Sequence, residues 1–358
     1  MNNTNNPSYV HKQSVLYGLS TISHHELGMI ELRITGKLLD KYFQNYEQIT
    51  KKPGLVVFIV WIIRGTFSKR YRDLNLLKRY FTSSRCKEHS NLLESNLPEI
   101  EILMVSKKED FSVLKVSLES AIKMSINPIS SITIIVPDNE VNLVKTFLNV
   151  MAEFQKINVI PENKVVSKEV IELITKNRPD RFGWILQQVL VASYIINSRS
   201  EYILVIDADT VLLRPRIWVD KNSKQILMPT QELHKTYYDF LRSSSNLYGK
   251  TVISFMSHHL LIQVKIFREI FEMFNGSVLT ALQKAFAFSS PTESAPFDLK
   301  YEIYSQYLLL KHKGQLDLVK WGNLSLPRSD LNQFISSKDI KFSLTQRYNS
   351  VSFHSWNV

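Results

Sequence analysis

The sequence predicts an α/β fold: a mixed, largely parallel sheet with helices on its faces, preceded by a mainly helical accessory region. Three observations carry this. Short apolar runs alternate with amphipathic segments beyond residue 98, a continuous apolar run stops abruptly at an Asp-x-Asp, and 358 residues at 44% hydrophobic content suffice for a large core.

Residues 1–98 read as helix-prone and irregular. They close in the polar stretch TSSRCKEHSNLLESNLPE, so a boundary is expected near Pro98, with 1–98 as a basic accessory region and 99–358 as the main domain. The formal charge of +11 is concentrated here: residues 51–88 hold ten basic and two acidic side chains, leaving only +3 for the rest of the chain. Inside this basic stretch lies LVVFIVWII, from Leu55 to Ile63. It is shorter than the roughly 20 apolar residues a membrane span needs, so it reads as a buried strand or helix segment. The alternative is peripheral contact of residues 51–88 with an anionic membrane, with Trp61 and Phe67 beside the cations. No zinc-finger spacing or RNA-recognition aromatic signature is present, so nucleic acid is not an expected partner. The single cysteine, Cys86, excludes an intramolecular disulfide framework, and the polar start MNNTNNPSYVHKQS lacks the pattern of a cleavable signal. Both fit a cytoplasmic protein.

From Glu101 the order EILMVS, FSVLKVSLESAIKMS, SITIIVP, EVNLVKTFLNVMAEF, INVIP reads β-α-β-α-β. Ligands of such sheets bind beyond the carboxyl ends of the strands, which singles out Ser106–Asp110, including Lys107, and Pro137–Asn139. In the following helix, Phe182, Ile185, Leu186, Val189 and Ile196 form the core stripe. Arg181, Trp184 and Gln188 line another, where a cation, an aromatic ring and an amide could reach a ligand, although a solvated face would look similar.

Tyr202–Ile206 reads as a fully buried strand that stops at Asp207. In continued extended geometry Asp207 and Asp209 would point to one side, with small Ala208 between them. Two like charges there are unfavourable unless something positive joins them, and a hard divalent cation with positions open to phosphate oxygens would satisfy both.

A hydrophobic strand, Asp-x-Asp, an apolar stretch and Arg-Pro together resemble the metal-binding motif of GT-A glycosyltransferases. RFGWILQQVL at 181–190, MPTQELHKTYYDF at 228–240, SFMSHHLLI at 254–262 and KYEIYSQYLL at 300–309 further resemble an uncharacterised bacterial family of glycosyltransferase-like proteins with that fold. The resemblance spans residues 99–358. It implies a GT-A, Rossmann-like domain with hexosyltransferase-like activity, a nucleotide-sugar donor, uridine-linked, and Mn²⁺ or Mg²⁺. It also implies a glycan or lipid-linked acceptor, surface-polysaccharide synthesis, and a place in the cytoplasm or at the inner membrane face. By this resemblance Asp207 meets the ribose or the metal, Asp209 meets the metal, and a histidine near the carboxyl end, His354 in SVSFHSWNV, completes the ligand set; a neutral imidazole beside two carboxylates suits Mn²⁺ better than Mg²⁺. Ser106, Lys107 and Asp110 are expected at the nucleotide, Arg181 and Gln188 at the donor. An inverting transfer needs a base: Glu302 leads, His258 and His259 follow, and Asp298 and Glu293 lie close by in sequence. Since SFMSHHLLI reads as a strand, only one of the two histidines should face the cleft.

Three other readings compete. ILVIDADTV also looks like the nucleophile motif of haloacid dehalogenase phosphatases, with Asp207 attacking phosphorus, but that chemistry requires a second acidic cluster downstream and none of the expected form follows Asp209. Sugar-nucleotide pyrophosphorylases place a Gly-rich loop after the first strand, absent from EILMVSKKEDFSV. A non-catalytic nucleotide-sugar-binding protein could keep the fold. Its signature would be loss of a carboxylate at the motif, where both are present.

Overall fold

The computed structural model describes residues 96–149, 157–229, 234–245, 254–288, 294–319 and 321–355. The expectations for residues 1–95, including the basic 51–88 region and its apolar run, fall outside them, as does Glu293.

The β-α-β-α-β reading matches the chain. Strand β1 (Ile100–Val105) leads through helix α1 (Phe111–Met124) to β2 (Ile129–Val136), and α2 (Val141–Asn149) precedes β3 (Ile157–Pro161). Helices α3 (Lys168–Asn177) and α4 (Phe182–Asn197) then cross back to β4 (Tyr202–Ile206). After β5 (Thr210–Leu212), β6 (Gln225–Leu227) and α5 (Lys235–Ser245), β7 (His259–Gln263) rejoins the main sheet. Helices α6 (Val264–Glu272), α7 (Val278–Phe288) and α8 (Tyr301–Lys311) follow, then β8 (Leu316–Leu318), β9 (Asn323–Pro327), α9 (Leu331–Ser336), α10 (Lys338–Arg347) and β10 (Ser350–His354).

The main sheet has order β3-β2-β1-β4-β7, the first four strands parallel and β7 antiparallel to β4. Its strands are apolar almost throughout because both faces are covered. Along β4, Ile203 and Val205 enter the core shared with α3, α4 and α6 to α8, while Tyr202, Leu204 and Ile206 enter the core under α1 and α2. Each such buried aliphatic side chain contributes about 1.5–3 kcal/mol, so the period-2 alternation fixes the strand in register. A second sheet, β5-β10-β9, packs its apolar face on Val113 of α1 and on α9, and β6 pairs with β8. Among the described residues no helix is long and apolar enough to cross a membrane.

Two local expectations change. Asp207–Asp209 does not continue the strand: Thr210 N–H donates to Asp207 O at 3.0 Å, so the chain turns there and passes from the main sheet into the second one. SFMSHHLLI is a strand only from His259, and His258 before it adopts φ +61°, a left-handed conformation uncommon outside glycine.

Candidate functional site

Strand order reverses at β1, which leads on to β2 while β4 lies on its other side. The crevice beyond the carboxyl ends of β1 and β4 is where ligands bind in such sheets, and the turn at Asp207–Asp209 lies at its edge.

Register supplies the partners of both aspartates. Ile206 faces His259 across the β4–β7 pair, so the next position sets His258 beside Asp207, whose N–H donates to His258 O at 2.9 Å. The left-handed backbone turns the His258 ring back to the turn, with Nδ1 3.3 Å from Asp207 Oδ2. On the second sheet Ser352 faces Thr210, so Phe353 N–H donates to Asp209 O at 2.9 Å and His354 Nδ1 comes to 3.0 Å from Asp209 Oδ2. The two imidazole rings lie 5.2 Å apart. The neighbouring His259, the first residue of β7, goes elsewhere. It is buried against Trp218, Trp321 and Met228 Sδ, and burial drives its pKa down to about 3, so it is a neutral core residue.

Asp207 has further partners. Lys300 Nζ and Tyr301 Oη both donate to Oδ1 at 2.8 Å, and Gln187 Nε2 lies 3.4 Å from the same oxygen. Burial pushes the Asp207 carboxyl up, but the Lys300 ammonium and His258 outweigh it and hold the group well below the usual carboxylate range. Burial and the adjacent Asp207 carboxylate raise the Tyr301 phenol well above its ordinary value, so it stays a donor.

Asp110, in the 3-10 turn after β1, carries an ion pair to Arg328 at 2.8 Å, while Arg328 also donates to Glu109 O and Phe353 O. Burial raises the Asp110 pKa against Arg328, and the Asp209 charge adds to the rise. Ser106 is buried, and its Oγ has no hydrogen-bond partner among the described residues. Lys107 is exposed beside Glu109. In the loop after β2, Glu140 accepts from Lys108 N–H at 2.6 Å and Asp138 accepts from Asn163 N–H at 3.0 Å.

Three expectations are corrected. Glu302 is not on a solvated helix face: it is fully buried, with Oε2 accepting from Ser254 Oγ and Phe255 N–H at 3.0 Å and Oε1 accepting from Gln306 Nε2 at 2.7 Å. An acceptor hydroxyl cannot reach it, so it braces the loop before β7 instead of serving as base. Asp298 is equally buried, capping α8 by accepting from the N–H groups of Lys300, Glu302 and Ile303. Gln188 points inward, its Oε1 accepting from Leu299 N–H at 2.9 Å; its neighbour Gln187 reaches Asp207. Of the expected polar stripe, Arg181 lies over the Trp184 ring at 5.4 Å, and Trp184 packs on Tyr237 and Phe297. Lys300, Tyr301, Gln187 and Arg328 were not anticipated. Lys300 and Tyr301 open the KYEIYSQYLL segment, immediately before Glu302.

A divalent cation fits at Asp209 and His354. Their donor atoms are 3.0 Å apart, the separation adjacent ligands adopt around a cation bound at about 2.1 Å, and oxygen with imidazole suits Mn²⁺. Among the described residues no three His, Cys, Asp or Glu side chains form a metal-ligating group, so other positions would fall to water and substrate oxygens.

Residues 103–255 match a family described as one of unknown function, DUF6492. Comparison with curated proteins gives no match. Among solved structures the chain is similar to mouse xyloside xylosyltransferase 1 in its apo form, at 10% identity and TM-score 0.37, over 72% of this chain and 98% of that one. It is also similar to the galactosyltransferase LgtC in complex with donor and acceptor sugar analogues, at 14% identity and TM-score 0.43, over 72% and 87%. A third is the apo bifunctional glycosyltransferase WbbM, at 11% identity and TM-score 0.41, where the match covers 74% of this chain and 47% of that one.

Proposed function

We propose that the chain is a GT-A glycosyltransferase that moves a sugar from a uridine-linked nucleotide donor to a glycan or lipid-linked acceptor, with a divalent cation at Asp209 and His354. The observation that carries this reading is the turn at the carboxyl end of β4, where each aspartate has a histidine delivered by a neighbouring strand: His258 for Asp207 and His354 for Asp209. The Asp-x-Asp motif and its apolar strand support it from the sequence.

Asp209 and His354 would hold the cation, which would supply charge neutralisation at the diphosphate as the bond to the anomeric carbon breaks. Ser106 Oγ, a buried hydroxyl at the end of β1, offers a hydrogen bond to the nucleotide. Arg328 ties the loop after β1 to β10, which keeps Asp110 and the Asp209–His354 pair on one crevice. Asp207 fixes the tautomer of His258: with Nδ1 protonated against Asp207, the basic nitrogen of the ring is Nε2, which takes the proton of the acceptor hydroxyl in an inverting transfer.

The test is a screen of nucleotide sugars for Mn²⁺-dependent hydrolysis or transfer with wild-type protein and Asp209→Ala. Turnover by wild type and its loss in the variant are expected; equal signals from the two proteins would remove the cation site from Asp209.

A further inference from the structure

We infer that Lys300 is a diphosphate-binding residue of this site, and that it, and not a metal ion, is the standing counter-charge of Asp207. The inference rests on the glycosyltransferase reading and specifies how the donor's anionic part is held.

Lys300 is only 4% exposed, yet it sits at the crevice, its Nζ 2.8 Å from Asp207 Oδ1 and 4.2 Å from the centre of the Tyr301 ring. Its position is imposed by the backbone: Asp298 Oδ2 accepts from Lys300 N–H at 3.3 Å and Glu302 N–H at 2.6 Å, pinning the start of α8 against the turn after β4. An ammonium has three donors, and among the described residues Asp207 Oδ1 is the one hydrogen-bond acceptor that Lys300 meets. Burying a charge with unfilled donors is costly. Tyr301 Oη already satisfies the same Asp207 oxygen, so a lysine is not needed there for hydrogen bonding alone. Phosphate oxygens entering the crevice would fill the remaining donors. Arg328, a second cation near these strand ends, is already engaged with Asp110, Glu109 O and Phe353 O.

The commitment of Asp207 has a consequence. With Oδ1 bonded to Lys300 and Tyr301 and Oδ2 facing His258, Asp207 is screened from a second cation, while Asp209 remains available to one. Lys300 and the cation at Asp209 would then neutralise the diphosphate from two sides.

The test titrates the full chain with inorganic pyrophosphate in EDTA and again with Mn²⁺, and measures Mn²⁺ binding alone by electron paramagnetic resonance. Wild type is expected to bind pyrophosphate without metal, more weakly as salt rises. Lys300→Met, and Lys300→Gln, which retains a hydrogen bond to Asp207, should each weaken pyrophosphate at least about tenfold while Mn²⁺ affinity holds or rises, because Asp207 is freed. Lys300→Arg should recover most of the loss. A packing defect would weaken both ligands together, so opposite responses separate the two. Unchanged pyrophosphate affinity in both neutral variants, or parallel loss of both ligands, overturns the inference. Should neither variant fold, a wild type that binds nucleotide with Mn²⁺ but no pyrophosphate in EDTA overturns it alone. A wild type that binds neither Mn²⁺ nor a nucleoside diphosphate overturns the glycosyltransferase reading.

Discussion

Glu302→Gln separates a brace from a base. In the folded protein burial pushes the Glu302 carboxyl up to about 7 from an ordinary value of 4.5; donors from Phe255, Gln306 and Tyr238 offset part of the rise and the Asp298 charge adds to it. Below pH 4.5 the group is protonated in both states and contributes no penalty. Between 4.5 and about 7 the unfolded chain has released the proton that the folded one retains, so stability falls as pH rises, and above 7 the full cost applies. A rise of that size corresponds to about 3 kcal/mol. Glutamine keeps an oxygen for Ser254 and Phe255 and can donate to Gln306 once that amide flips, so it preserves the brace without the charge. Urea unfolding from pH 4.5 to 8.5 should therefore show the variant gaining on wild type by up to about 3 kcal/mol, the gain accruing between pH 4.5 and about 7 and levelling off above. Transfer activity should change by less than about fivefold, whereas losing a general base costs about 10²–10⁴-fold. Identical pH slopes for the two proteins would refute the burial argument, and a hundredfold loss of turnover with retained fold would return Glu302 to the chemistry.

Three other outcomes follow from the same geometry. Asp207→Ala strands the Lys300 ammonium in a buried site and should cost about 3 kcal/mol in denaturant unfolding, most of it recovered by adding Lys300→Met; additive losses would show that the pair is not coupled. His354→Ala should lower Mn²⁺ affinity at least about tenfold, read by electron paramagnetic resonance, while far-ultraviolet circular dichroism stays unchanged. Glu101, at the opposite end of β1, accepts from Thr133 Oγ1 at 2.7 Å, Tyr194 Oη at 2.5 Å and Ser200 Oγ at 2.6 Å; Glu101→Gln should cost about 1–3 kcal/mol of stability and leave ligand binding untouched.

The strands were legible because burial on both faces leaves little choice of residue: Ile100–Val105, Ile129–Val136 and Tyr202–Ile206 are apolar runs of strand length in the sequence and strands in the fold. Helix α4 shows where pattern reading fails. It contacts β1 on one side and α3, α6 and α7 on others, so apolar residues surround it and a polar stripe loses its meaning. The stripe therefore points to Gln188, whereas Gln187 faces the site. The groups around Asp207 come from register and from helix starts. Nothing local in SFMSHHLLI tells which histidine turns to the aspartate; the pairing of Ile206 with His259 and the left-handed φ of His258 do.

The turn at Asp207 also alters what an Asp-x-Asp means here. Extended geometry would give both carboxylates one face and one cation. Because Thr210 N–H closes a turn on Asp207 O, the two aspartates end different sheets and take different partners: Lys300, Tyr301 and His258 for Asp207, His354 for Asp209. A cation shared by both would have to displace the Lys300 ammonium from the part-buried Asp207 carboxylate, exchanging one well-formed ion pair for another and leaving the buried Lys300 charge behind. A cation at Asp209 and His354 would replace the contact between those two side chains and leave the Lys300–Asp207 pair in place. If, as proposed, Asp207 orients side chains and Asp209 holds the metal, Asp207→Asn and Asp209→Asn should give unlike defects: the first in His258 and Lys300 placement at nearly normal Mn²⁺ affinity, the second in Mn²⁺ affinity itself. Equal loss of Mn²⁺ in both variants would restore the shared-cation geometry.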